Sequence, residues 1–107
     1  MRRVVVTGLG AVTPCGNDVA ATWDAMVAGR SGVGLIRRFD ASSFPVRIAA
    51  EVKNFDVDGI LGRKQARRQD LFTQYAMVAS IEAASMAGIS PNAEGDERLG
   101  VYVGTGI

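Results

Sequence analysis

The sequence contains no histidine and only one cysteine, Cys15. Histidine is the usual general base and a frequent metal ligand at neutral pH, so its absence excludes a complete Ser-His-Asp triad within these residues. One cysteine cannot form an internal disulfide. Hydrolytic triads and disulfide-stapled folds are therefore excluded, and no metal site is expected.

Long apolar runs are also missing, since a membrane helix needs about 18–20 consecutive apolar residues. Arg2 and Arg3 lead only into the short run at residues 4–6, which is too short for a signal-peptide core. Twelve basic and eleven acidic residues leave a net charge of +1, which gives no support to nucleic-acid binding. We therefore expect a cytoplasmic protein that binds neither membrane nor nucleic acid.

Three segments have the composition of β-strands. The β-branched run at residues 4–6 stops at glycines and predicts a strand buried on both faces, as in a parallel sheet. Residues 46–52 alternate apolar and polar side chains, which predicts a half-exposed strand. Residues 99–103 predict another buried strand, and residues 30–45 between the first helix and the second strand are turn-rich.

Two segments have helical periodicity. The first helix is predicted to begin at Asn17 or Asp18 and to stop at Gly29. The second is predicted over residues 63–86, with Gly88 ending it and many alanines that permit close approach by neighbours. The apolar side chains expected in the core are Trp23, Leu71, Phe72 and Tyr75. The order strand, helix, strand, helix, strand predicts an α/β sheet, and because two helices cover it poorly we interpret residues 1–107 as an incomplete domain.

The glycine motif Thr7-Gly8-Leu9-Gly10 invites comparison with dinucleotide-binding loops, which use the pattern G-x-G-x-x-G. The third glycine is missing because Thr13 stands in its place. The predicted helix also begins several residues too late. We therefore favour a structural tight turn and keep a dinucleotide-binding module as the weaker alternative.

Cys15 is a candidate nucleophile because it precedes the first predicted helix, whose positive dipole end would lower a thiol pKa. A cysteine nucleophile also needs a base or a cationic partner, and no histidine is present. Free cysteine more often acts as a small buried apolar side chain. We therefore give Cys15 a structural interpretation and name no catalytic residue.

A basic cluster begins the second predicted helix and consists of Arg63, Lys64, Arg67 and Arg68. Cations at a helix N-terminus oppose its dipole and cost about 0.3–1 kcal/mol each where they are exposed. Their spacing places all four on neighbouring faces of a helix. An acidic partner would explain this placement, and a merely solvated face is the alternative.

Four motifs in order resemble the β-ketoacyl-acyl carrier protein synthases. They are the opening V-V-V-T-G-L-G-A-V-T-P, the pair Phe39-Asp40, the run R-K-x-x-R-R-x-D-x-F-x-Q-Y from Arg63 to Tyr75, and the closing V-G-T-G-I. The resemblance covers essentially the whole chain. The run ending in Q-Y favours the synthase II branch of the family.

The resemblance implies a thiolase-like fold of five αβαβα layers, with residues 1–107 as the amino-terminal part of its first half. It also implies a homodimer that elongates fatty acids by decarboxylative Claisen condensation. The catalytic cysteine and two histidines of the family would lie beyond residue 107, so we expect this segment alone to be inactive. No cofactor is implied except the phosphopantetheine of the acyl carrier protein.

The resemblance also implies two kinds of site. Lys64, Arg67 and Arg68 would dock the acidic recognition helix of the acyl carrier protein, whereas Ile107 would line the acyl pocket. Two related functions stay open at this point. One is a chain-length-factor subunit, which keeps the fold, lacks the nucleophile and heterodimerises, and the other is a polyketide ketosynthase.

Overall fold

The computed structural model describes residues 1–90 and 97–106, and within them it contains four helices and one two-stranded sheet. The elements in chain order are α1 (Val19–Val27), β1 (Val33–Leu35), β2 (Ile48–Ala50), α2 (Val57–Leu61), α3 (Arg63–Ala66) and α4 (Leu71–Met86). No helix in the described part of the chain combines the length and the apolarity needed to span a membrane.

Helix α1 forms where it was predicted. Asp18 caps it by accepting a 2.7 Å hydrogen bond from the Ala21 backbone N–H, and Gly29 follows its end with φ of +66°. Only Ala25 of this helix is buried, whereas Trp23 is 63% exposed. The prediction of Trp23 as a core residue is therefore wrong for the described structure.

The sheet is antiparallel and pairs β1 with β2, with Gly34 opposite Ala49. The predicted strand at residues 46–52 is confirmed in shorter form as β2. Its partner β1 lies in the segment predicted to be turns, because three residues with a central glycine carry no strand signal. The Glu51 carboxylate then accepts the backbone N–H groups of Arg37 and Arg38, which fixes the chain just after β1.

The long helix predicted over residues 63–86 is two helices, α3 and α4. Arg67 caps the end of α3, and Asp70 adopts extended backbone angles (φ −68°, ψ 159°) before α4 begins. Aspartate is favoured at this position, and its carbonyl accepts the Gln74 backbone N–H. The predicted end of the long helix is confirmed, since Gly88 has φ of +72°.

The predicted buried strands at residues 4–6 and 99–103 are absent from the described structure. Val4 is 93% exposed and Val101 is 81% exposed. A β-branched run becomes a strand only when a neighbouring strand pairs with its N–H and C=O groups, and no strand among residues 1–90 and 97–106 does so. The parallel sheet predicted from these runs is therefore not formed by the described residues.

The best-packed interface lies between the amino-terminal segment and α4. A Cβ atom built on Gly8 would collide with the Ala83 carbonyl oxygen, and one on Gly10 would collide with the Ala79 carbonyl oxygen. The two glycines thus let the chain lie directly on the α4 backbone. The predicted close approach at alanines is confirmed. The glycine motif has a structural role, which is packing rather than a tight turn.

The outer face of α4 is less buried than predicted. Val78 is buried, whereas Leu71 and Phe72 are exposed, contrary to their prediction as core residues. Tyr75 is half-buried, and its ring packs edge-to-face against Phe55 with centroids 5.0 Å apart. The described core is therefore narrow and consists mainly of small side chains.

Candidate functional site

The predicted basic residues lie together on the surface, and we call them the basic patch: Arg63, Lys64, Arg67 and Arg68. All four are exposed and line one groove of about 420 Å³. A second groove of about 480 Å³ shares three of them and extends to Leu61 and Gly62. The prediction that the four cations share one region of the surface is confirmed.

The physical reason given for this placement needs correction. Helix α3 has only four residues, Arg67 caps its end and Arg68 lies beyond it. The four cations therefore do not sit at the N-terminus of a long helix, and the predicted dipole penalty is wrong. What the structure does provide is unpaired charge. Within the described residues none of the four side chains has a hydrogen bond or an ion pair.

The turn between α3 and α4 is fixed by Gln74, a residue that the sequence analysis missed. Gln74 is 9% exposed and is the buried polar side chain of α4. Its Nε2 donates hydrogen bonds to the Ala66 carbonyl at 2.9 Å and to the Gln69 carbonyl at 3.0 Å. A glutamine within an apolar helical stripe is the sequence signal that could have identified it.

Glu82 is a second residue that the sequence analysis missed. From the middle of α4, its Oε2 accepts the Ala11 N–H and its Oε1 accepts the Val19 N–H, both at 2.9 Å. One carboxylate therefore ties the glycine motif and the start of α1 to the same helix. An acidic residue between alanines of an apolar helix is a weak signal for such a role.

Cys15 lies half-buried in a loop, and its Sγ is 3.9 Å from the Arg30 carbonyl oxygen. The nearby amine cannot serve as a base, because Lys53 Nζ already donates all three of its hydrogens. It donates to the backbone oxygens of Pro14, Gly32 and Glu51, at 3.2, 2.8 and 3.0 Å. The described structure gives the thiol no activating partner, which agrees with the structural interpretation of Cys15.

Asp40, part of the Phe39-Asp40 motif, has the one perturbed carboxyl for which the described residues give a clear cause. The Ser42 backbone N–H donates to its Oδ1 at 3.0 Å and lowers the pKa of Asp40 below its ordinary value. The group is fully exposed and shapes a turn. Ile107, the predicted acyl-pocket residue, lies outside the described residues.

Three comparisons with known proteins place these features in context. All of residues 1–107 match the model of a family described as "Beta-ketoacyl synthase, N-terminal domain". Among curated proteins, a Coxiella burnetii protein named 3-oxoacyl-[acyl-carrier-protein] synthase 2 is 50% identical over 106 residues. Proteins of the same name from Staphylococcus aureus strain COL and Vibrio cholerae are 44% and 45% identical. Each alignment covers 99% of this chain and 26% of the relative, so the chain spans about a quarter of their length.

Among solved structures, "The ishigamide ketosynthase/chain length factor" superposes with a TM-score of 0.65 and 33% sequence identity. The superposition covers 83% of this chain and 22% of that one. The predicted fold class, an α/β fragment of the thiolase-like kind, is confirmed by this likeness together with the matching family.

Proposed function

The chain belongs to the β-ketoacyl synthase family, and we propose that it is the amino-terminal part of an elongating condensing enzyme of the synthase II kind. In the proposed reaction, an acyl group passes from carrier protein to a cysteine as a thioester. Malonyl-carrier protein then loses carbon dioxide, and its carbanion attacks that thioester to form the β-ketoacyl product. The nucleophile and the histidines that stabilise the enolate would come from residues other than 1–107.

The contribution that we assign to these residues is docking of the acyl carrier protein. The supporting observation is the basic patch, whose four exposed cations line one groove and have no partner among the described residues. Charges of this kind attract an acidic partner over several ångströms and raise the rate of encounter. Lys64, Arg67 and Arg68 are the proposed contacts, and Arg63 adds to their field.

The test is a charge reversal in the natural polypeptide that contains these residues. We expect Lys64→Glu combined with Arg67→Glu to lower kcat/KM for acyl-carrier protein on the order of tenfold or more, because attraction becomes repulsion. A small pantetheine thioester should be used nearly as well as before. The defect should depend on ionic strength, since screening is strong beyond about 10 Å at 0.1 M salt.

Arg30→Glu is the matched control, because Arg30 is exposed after α1 and lines neither groove of the basic patch. It should leave the use of acyl-carrier protein unchanged. Equal losses with the carrier-bound and the small thioester would contradict a docking role and indicate damage to the fold.

A chain-length-factor subunit is the second candidate function, since the superposed solved structure has that term in its description. Such a subunit has no nucleophile. Acyl transfer from a radiolabelled or mass-tagged donor to the natural polypeptide therefore separates the two candidates. A covalent acyl-enzyme supports the condensing enzyme, and its absence beside a catalytic partner subunit supports the chain-length factor.

Three further proposals come from the family. The protein would act as a homodimer, it would work in the cytoplasm, and Ile107 would border the acyl pocket. The phosphopantetheine of the carrier protein would be the only prosthetic group in the reaction. A polyketide ketosynthase would use the same docking surface with a different carrier protein.

A further inference from the structure

We propose that Gln74 is a positioning residue for docking of the carrier protein, because it holds the turn from which half of the basic patch projects. This inference rests on the proposed function of that patch. Gln74 has no charge, and its side chain is buried, so it would act through the backbone of residues 66–69 rather than by touching the partner.

The geometry around Gln74 is that of a clamp. The last carbonyl groups of any helix lack partners within the helix, and α3 ends at Ala66. The Ala66 carbonyl accepts Gln74 Nε2 at 2.9 Å and the Gln69 N–H at 3.3 Å, while the Gln69 carbonyl accepts the other hydrogen of Nε2. Both amide hydrogens of Gln74 are therefore used on the two residues that flank Arg67 and Arg68.

The clamp matters because α3 is too short to hold its own shape. A helix of four residues has paid the cost of nucleation with few backbone hydrogen bonds and is marginal without tertiary support. Helix α4, with sixteen residues, supplies that support through Gln74. Arg67 and Arg68 are thereby presented from a fixed backbone, so less conformational entropy is lost when a partner binds.

Filling of space does not explain a glutamine at this position. A methionine of similar size would fill the same volume without burying an amide, which is costly unless the amide is hydrogen-bonded. The turn also contains Gln69 Oε1, a buried acceptor that has no partner among the described residues. The turn is therefore weakly satisfied by itself and depends on the donors of Gln74.

The experiment measures the dissociation constant of acyl carrier protein for the natural polypeptide at several salt concentrations. Gln74→Met should weaken binding about three- to tenfold, the effect of freeing one or two side chains at an interface. The slope of log Kd against log salt should stay unchanged, since the four charges remain. Lys64→Gln should instead reduce that slope.

Ser80→Ala is the matched control, because Ser80 also makes a side-chain hydrogen bond to a backbone carbonyl on α4, to Ala76 at 2.7 Å. It should leave Kd unchanged. Amide exchange supplies the readout of position. In Gln74→Met the N–H groups of Arg68 and Gln69 should exchange faster, whereas those in the middle of α4 should not. If Gln74→Met folds poorly, the isosteric Gln74→Glu removes the same donors when ionised.

The outcomes separate the two proposals. Wild-type Kd in a fully folded Gln74→Met protein would overturn the positioning role, even if its unfolding midpoint in urea fell. A changed salt slope in that variant would also overturn it, because the effect would then lie on the charges themselves. Absence of binding by the unaltered protein, or no effect of Lys64→Gln, would overturn the proposed docking function instead.

Discussion

Two segments of the chain have the same design in sequence and different surroundings in the structure. Residues 4–10 and residues 99–106 each contain valines followed by glycines. Gly8 and Gly10 lie directly on the α4 backbone, whereas a side chain built on Gly104 would meet nothing within 4 Å. The comparison teaches that a glycine motif can reflect contact with a neighbouring helix in one place and open space in another.

The largest expected effect comes from filling the first contact. Gly10→Ala should lower the free energy of unfolding by about 3 kcal/mol, the upper end for overpacking, because a backbone carbonyl of α4 cannot rotate away. Gly104→Ala is the matched variant and should change stability by less than about 0.5 kcal/mol, with a small gain from reduced unfolded-state entropy. Urea unfolding of both variants makes the measurement. Equal losses would remove the distinction between the two segments.

A smaller effect is expected from the carboxylate that ties the amino-terminal segment to α4. Glu82→Gln should lower the free energy of unfolding by about 1–3 kcal/mol, because an amide can accept only one of the two N–H groups and leaves the other unsatisfied. Asp24→Asn, on the exposed side of α1, is the control and should have little effect.

A double-mutant cycle of Glu82→Gln with Gly10→Ala sharpens the comparison further. The two changes affect one interface, so their effects should be non-additive by more than about 0.5 kcal/mol. Strict additivity would mean that the carboxylate and the glycine contact hold the segment independently.

The smallest expected effect comes from the exposed valines of the two segments. Val5 and Val101 are both exposed, so Val5→Thr and Val101→Thr should each change the free energy of unfolding by less than about 0.5 kcal/mol. Thermal unfolding of the 107-residue chain and of the natural polypeptide provides the measurement. A loss above about 1 kcal/mol for Val101→Thr in the natural polypeptide would mean that this run is covered there and is more like the first segment.

The features that the sequence predicted correctly are those with local causes. Asp18 caps α1 through its own side chain, and the glycines that end α1 and α4 adopt positive φ, which needs no distant partner. The spacing of the four cations also placed them together without any knowledge of the turn between them. The motifs identified the family for a different reason, since they carry sequence likeness rather than physical derivation.

The features that the sequence analysis missed depend on distant partners. Residues 67–70 contain neither glycine nor proline, so nothing local shows that the helix breaks there, and the break is fixed by Gln74 from the next helix. Strands need a second strand for their hydrogen bonds, which is why the valine run at residues 4–6 gave a wrong prediction. The role of Glu82 likewise depends on a chain separation of more than sixty residues.

The three backbone oxygens around Lys53 have a consequence for covalent labelling. Lys53 and Lys64 are the two lysines of the sequence. The first has every amine hydrogen engaged, whereas the second has no partner among the described residues. An acylating reagent at low dose should therefore modify Lys64 first, and its reaction becomes a single-residue reporter of whatever covers the basic patch.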